Sequence, residues 1–176
     1  MRAIDEATFR EALDAHGVLR KGALAFPTRA DVFTVFAQRD DARIVIDEWR
    51  RHAERFHATR IGLTVDKKYD DGAAPRVDAA RVVIAPAKGA SETRVLWGRP
   101  RDDDDVHAAE DVDGGAGLAM LAKRCAYVWL VECEQADDRA ALRLAAIVAG
   151  VVLGPILTPG GTELIGPKTA RARLGG

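Results

Sequence analysis

The sequence predicts one α/β or α+β domain over residues 1–176, with a mixed, partly antiparallel sheet of about five strands packed by helices. Three observations carry that expectation. Gly114–Leu157 reads as a Gly-led helix, an unbroken apolar strand, an Asp-capped helix and a second apolar run, which is one layer of a sheet packed against helices. Residues 60–98 hold three strand-like runs, two of them flanking the turn KGASE as a hairpin. At 176 residues, 48% hydrophobic and 30% charged, the chain suits one hydrophobic core and is short for two.

Near the N-terminus, Asp5 is placed to cap a helix through His16, with Phe9, Ala12, Leu13 and His16 on one face and Gly17 as its stop. Val18–Gln38 is ambiguous. Pro27 and Thr28 signal a short helix, DVFTVFAQ alternates like a strand, and the helix is the expectation. Asp40 then caps a helix over 41–57, on which Ala42, Val45, Ile46, Trp49, Ala53 and Phe56 recur every three or four residues. His52 and His57 are five apart and diverge around that helix, whereas a zinc motif on one face takes a spacing of four. Ile61, Leu63 and Val65 alternate with Gly62, Thr64 and Asp66, a strand with one buried face. Residues 66–75 form a polar turn, and 80–87 with 93–98 form the hairpin.

Residues 99–115 carry Asp102, Asp103, Asp104, Asp105, Glu110, Asp111 and Asp113, and are expected to be an acidic mobile loop. Like charges repel there, and little apolar surface offsets the entropy of ordering. A helix follows from Leu118, with Lys123 and Arg124 at the end where cations are favoured. Tyr127–Val131 does not alternate, so it is buried on both faces and central in the sheet. Asp137 and Asp138 open a helix to about Ala149, Val151–Leu157 returns as a strand or else continues the helix into Pro155, and TELIG pairs at an edge. Residues 167–176 are read as a frayed basic tail.

Composition narrows the chemistry. A net charge of -1 gives no global pull toward nucleic acid or an anionic membrane. The uncharged run Leu144–Thr162 is broken by glycines and prolines before it reaches a membrane span of roughly 20 apolar residues. Two cysteines are too few for a disulfide framework, and acids stand where a signal peptide needs an apolar run, so the expected location is the cytoplasm. The chain has no asparagine, which excludes a Cys-His-Asn triad, and its one serine, Ser91, lacks a G-x-S-x-G setting. DGGAGLA precedes a helix but fails G-x-G-x-x-G and has no Walker lysine. Cys125, after the Lys123–Arg124 pair, and Cys133 read as packing residues.

Two functions remain open. Glu132 and Glu134, two apart at the C-terminal end of the central strand, point the same way. With Asp111 and Asp113 they would form a carboxylate cluster for Mg²⁺, and Glu132 beside the apolar strand would suit acid/base work. A D…(D/E)-x-K nuclease is disfavoured because Glu134 stands where its lysine belongs. The ending ARARLGG is similar to the Arg-rich diglycine tail of ubiquitin-like modifiers, a resemblance confined to those residues. The leading expectation is a non-catalytic interaction or accessory module of a bacterial-type cytoplasmic assembly with no cofactor. It would bind a basic protein partner through Asp102, Asp103, Asp104, Asp105, Glu110, Asp111 and Asp113, or else assemble as a homo-oligomer. The alternative is a Mg²⁺-dependent hydrolase or transferase using Glu132, Glu134, Asp111 and Asp113.

Overall fold

The unbroken apolar run at Tyr127–Glu132 forms strand β5, and the other strands assemble around it. A computed structural model describes residues 4–70, 72 and 74–175. Before β5 come helix α1 (Glu6–Glu11), strand β1 (Val32–Ala37), helix α2 (Ile46–His57) and strands β2 (Thr59–Leu63), β3 (Asp78–Pro86) and β4 (Glu92–Pro100). Helices α3 (Asp103–Val112) and α4 (Leu118–Arg124) complete the part before β5. After it come helix α5 (Arg139–Val152), short strands β6 (Ile156–Leu157) and β7 (Leu164–Ile165), and helix α6 (Pro167–Arg173). The strands join one sheet in the order β2-β3-β4-β5-β1-β6-β7, and every pairing is antiparallel. The fold is α+β.

Two apolar layers flank the sheet. Trp129 and Val131 of β5, with Phe33 and Val35 of β1, pack under α2, α5 and α6, together with Trp49, Leu144 and Ile147. Val128 and Leu130, with Val32, Phe36 and Trp97 of β4, face the other way onto Phe9, Ala109 and Ala122 from the layer of α1, α3 and α4. Each fully buried Leu, Ile, Val or Phe side chain contributes about 1.5–3 kcal/mol, so the two layers together dominate the stability. Helix α5 carries the larger share, with nine buried residues and Asp138 capping it through the Ala141 amide. It ends where Leu153 turns left-handed. Gly154 follows because a Cβ there would overlap the Phe36 carbonyl oxygen. No described helix is long and apolar enough to cross a membrane.

Several expectations change. The described sheet has seven strands instead of about five and is antiparallel instead of mixed, since two covered faces bury a central strand whatever its direction. VFTVFA within DVFTVFAQ forms β1, whose six residues are all buried, and the signals at Pro27 and Thr28 belong to a single 3-10 turn at Arg29–Asp31. The first helix stops at Glu11. Asp14 then accepts from the His16 and Val18 amides (2.8 and 3.0 Å) and turns the chain. The helix placed over 41–57 starts at Ile46, because Asp41 caps a turn at the Arg43 amide instead. Val151–Leu157 keeps only Ile156–Leu157 as strand, the helix having run on through Val152.

The acidic segment is a helix and not a loop. Asp102 accepts from the Asp105 amide (2.9 Å) and Asp105 from the Asp102 amide (3.0 Å), a reciprocal capping box. Val106, Ala109 and Val112 supply the apolar stripe that fixes α3 on the sheet. The basic tail is likewise a helix through Arg173. Pro167 stands at its first turn, and Ala170 and Leu174 pack four residues apart onto the core. Arg171 and Arg173 therefore belong to helical structure, unlike the flexible tail that the modifier resemblance implies.

Candidate functional site

Antiparallel pairing of β5 with β1 and β4 sets Glu132 opposite Val32 at the end of the strand. Alternation along β5 turns the Glu132 side chain to the same face as Val128 and Leu130, toward Trp97 of β4. The Trp97 indole Nε1 donates to Glu132 Oε1 at 2.9 Å. Burial pushes the Glu132 carboxyl above its ordinary value. The Trp97 bond opposes that rise, and nearby Asp31 adds to it. Glu132 lines a cleft of about 390 Å³ with Arg81, Thr93, Arg94, Cys133 and Glu134.

The residues around Glu132 are largely committed to each other. Arg94 Nε donates to Asp138 Oδ2 at 2.7 Å and its Nη2 to Glu92 at 2.6 Å, while Glu134 is exposed and 3.6 Å from Arg94. Burial would raise the Asp138 carboxyl, but Arg94 and the Ala141 and Glu134 amides outweigh it and hold it below the ordinary range. Burial pushes both Cys125 and Cys133 up to about 11, so the two thiols are protonated near neutral pH, as packing residues. Neither Arg81 nor Arg94 carries a motif that would place it beside Glu132 from sequence.

The structure does not assemble the expected Mg²⁺ cluster. Glu132 turns inward to Trp97, and Glu134, two residues beyond the strand, turns to solvent and Arg94. Asp111 is exposed on α3, and Asp113 is spent on the Ala119 amide (3.2 Å). Among the described residues no group of three or more His, Cys, Asp or Glu side chains is arranged to hold a metal ion.

A prediction follows for Glu132. A carboxyl whose folded pKa is raised adds stability that is fully present below its unfolded pKa and lost as pH rises through the folded value. Glu132→Gln, whose amide oxygen still accepts from Trp97, is therefore expected to match or exceed the wild type in urea midpoint at pH 7.5. The difference should shift in favour of the wild type near pH 4. A Gln variant less stable at pH 7.5 than at pH 4, each measured against the wild type, contradicts this assignment.

The acidic residues sort themselves on α3. Asp105 is buried and held by Arg99 at 2.7 and 2.9 Å, with Arg29 at 3.6 Å. Burial opposes its ionisation, but Arg99 and the Asp102 amide keep its carboxyl below the ordinary value. Asp105 is thus a structural anchor and not an element of an outer surface. Asp102, Asp103, Asp104, Glu110 and Asp111 are exposed. Asp103, Asp104, Glu110 and Asp111, with His107 between them, repeat at helical spacing on the side away from Val106 and Ala109.

The chain matches no protein-family model, no curated protein and no solved structure.

The ion pairs on α3 leave its charge unneutralised. Arg99–Asp102 at 3.6 Å, Lys123–Glu110 at 3.7 Å and Arg101–Asp103 at 4.0 Å are long contacts with solvent-exposed carboxylates. Asp104 and Asp111 have no ion-pair partner among the described residues. Met120, 67% exposed at the start of the neighbouring α4, sets an apolar side chain in the same layer.

Proposed function

We propose that the protein is a non-catalytic interaction module, an accessory subunit of a bacterial-type cytoplasmic assembly, that binds a basic surface on a protein partner through the outer face of α3. One observation carries this reading. Asp103 and Asp104 sit in the first turn of α3, where negative charge favours the helix, but Glu110 and Asp111 sit in its last turn, where the helix dipole disfavours it. Helix stability explains the first pair and not the second. A partner contact explains both, because a stripe of carboxylates on a pre-folded helix steers and registers a cationic surface.

The same asymmetry supplies a clean experiment. The double variant Glu110→Lys with Asp111→Lys places cations at a helix C-terminus, so it is expected to melt no lower than the wild type. Immobilised wild-type protein is expected to retain a partner from source-cell lysate and to release it between about 0.15 and 0.5 M salt, as screening shortens the range of the charges. The double variant should lose that partner. Equal retention by both forms, at equal thermal stability, removes α3 from the proposal.

A further inference from the structure

We propose a second binding site, for a small phosphoryl-bearing ligand, in the cleft enclosed by the ends of α2 and α6, the first half of α5 and the β3–β4 turn. This site lies on the opposite side of the sheet from α3 and is independent of the partner surface. The cleft is the larger of two adjoining hollows, about 430 and 190 Å³, which share Phe56, His57 and Arg171. Among the described residues, Arg55, Lys88, Arg143 and Arg171 line it against a single side-chain carboxylate, Glu54.

The charge is unbalanced, and two of its cations, Arg143 and Arg171, are partly buried while Arg55 and Lys88 are exposed. Elsewhere the buried cations are answered by buried acids, Lys67 by Asp78 and Arg94 by Asp138. Here none of the four cations has an ion-pair partner among the described residues. Half-buried Arg143 reaches only the His57 carbonyl at 3.5 Å and the Thr59 hydroxyl at 3.4 Å, at the long limit of a hydrogen bond. Burial, then Arg139 nearby, pulls the Arg143 guanidinium below its ordinary value.

His57 reports the same field. Burial first, then His52, Arg171 and Arg143, push its imidazole down to about 4. The α2 and α6 C-terminal ends oppose an anion, but a helix end carries only about half a unit charge. Four full cations outweigh two such ends and Glu54 together.

The chemistry favours phosphoryl groups over other anions. Three guanidinium forks and an ammonium can grip the several oxygens of a tetrahedral, multiply charged group, which a single carboxylate cannot match. The volume suits a small molecule. A net charge of -1 gives no global pull toward a nucleic-acid strand. Phe56, 43% exposed at the rim, offers an apolar edge to whatever carries the phosphoryl group.

The test uses the full-length protein and isothermal titration at fixed ionic strength with inorganic pyrophosphate, with acetate as the carboxylate control. Saturable one-to-one binding is expected, weakened about tenfold or more by Arg143→Gln and by Arg171→Gln, a loss of at least about 1.4 kcal/mol. Arg124→Gln, on exposed α4 across the sheet, should leave it unchanged. Lys88→Gln, in an exposed turn, should weaken binding even if an arginine variant fails to fold. No saturation by about 10 mM pyrophosphate, acetate binding as tightly as pyrophosphate, or the same affinity in the Lys88 and Arg171 variants as in the wild type each overturns the proposal.

Discussion

Asp138→Ala is expected to cost about 3–5 kcal/mol of stability, because it strands a buried cation and removes a helix cap in one step. Arg94 is 7% exposed and donates to Asp138 at 2.7 and 3.1 Å. The same carboxylate accepts from the Ala141 amide at 2.9 Å, starting α5, and from the Glu134 amide at 3.0 Å, ending the β5–α5 connection. Cap loss alone is worth about 1 kcal/mol. The larger part comes from Arg94, left with the half-exposed Glu92 at 2.6 Å and the exposed Glu134 at 3.6 Å.

Two controls separate these contributions. Asp138→Asn keeps an oxygen for the cap and loses only the charge, so it should fall between wild type and the alanine variant. Arg94→Met combined with Asp138→Ala should recover part of the loss, since no buried charge then remains. The pH dependence has a definite sign. Asp138 has a lowered folded pKa, so its contribution is complete above the unfolded value near 3.9 and disappears as pH falls through the folded one. The gap between wild type and Asp138→Asn should therefore close in acid. A urea-derived cost below about 1 kcal/mol for the alanine variant at pH 7 would show that Glu92 and solvent suffice for Arg94.

Asp78→Ala is the second large effect, also about 3–5 kcal/mol. Asp78 is fully buried and accepts four hydrogen bonds. They come from Lys67 Nζ at 2.9 Å, the Tyr69 hydroxyl at 2.7 Å, the Leu19 amide at 3.0 Å and its neighbour Ala79 at 2.8 Å. Lys67 also donates to the Gly17 carbonyl at 2.6 Å, and the Tyr69 hydroxyl accepts from the Ile44 amide at 3.0 Å. One carboxylate thus fastens three otherwise irregular segments to β3. Burial pulls the Lys67 ammonium below its ordinary value, and Asp78 works against that.

Removing the acid should hurt more than removing the base. Lys67→Met leaves Asp78 with three donors, whereas Asp78→Ala leaves a buried ammonium with one carbonyl. Hydrogen exchange should locate the damage, with the Leu19 and Ile44 amides losing protection beyond the global change. A Lys67→Met variant less stable than Asp78→Ala reverses this ranking.

Strong one-sided patterns were legible in the sequence, and features that depend on distant partners were not. Asp5, Asp138 and the hairpin about KGASE could be placed because caps and turns are local chemistry. β1 could not be told from a helix because Pro27 and Thr28 signal a helix start directly before the alternating DVFTVFAQ, and that signal belongs only to the 3-10 turn at Arg29–Asp31. The acidic helix was hidden behind its charge, although Asp102 with Asp105, followed by Val106, Ala109 and Val112, spells a capped amphipathic turn. Of the candidate site, Glu132 could be placed at the end of a central strand, but not its inward turn to Trp97, thirty-five residues away. Arg55, His57, Lys88, Arg143 and Arg171 share no motif, and only the packing of α2, α5 and α6 brings them to one cleft.

The strand order has a consequence for how the chain reaches this structure. β1 lies inside the sheet, yet Val32 pairs with Glu132, a hundred residues later, and Val35 pairs with Ile156 on its other side. The β2-β3-β4 meander can form from neighbours as soon as it is made. β1 must wait for most of the chain and pay a large loop-closure entropy before its first long-range contact forms. Refolding should therefore proceed through an early meander and a late, rate-limiting insertion of β1, with Phe33 and Phe36 exposed to other molecules in the interval.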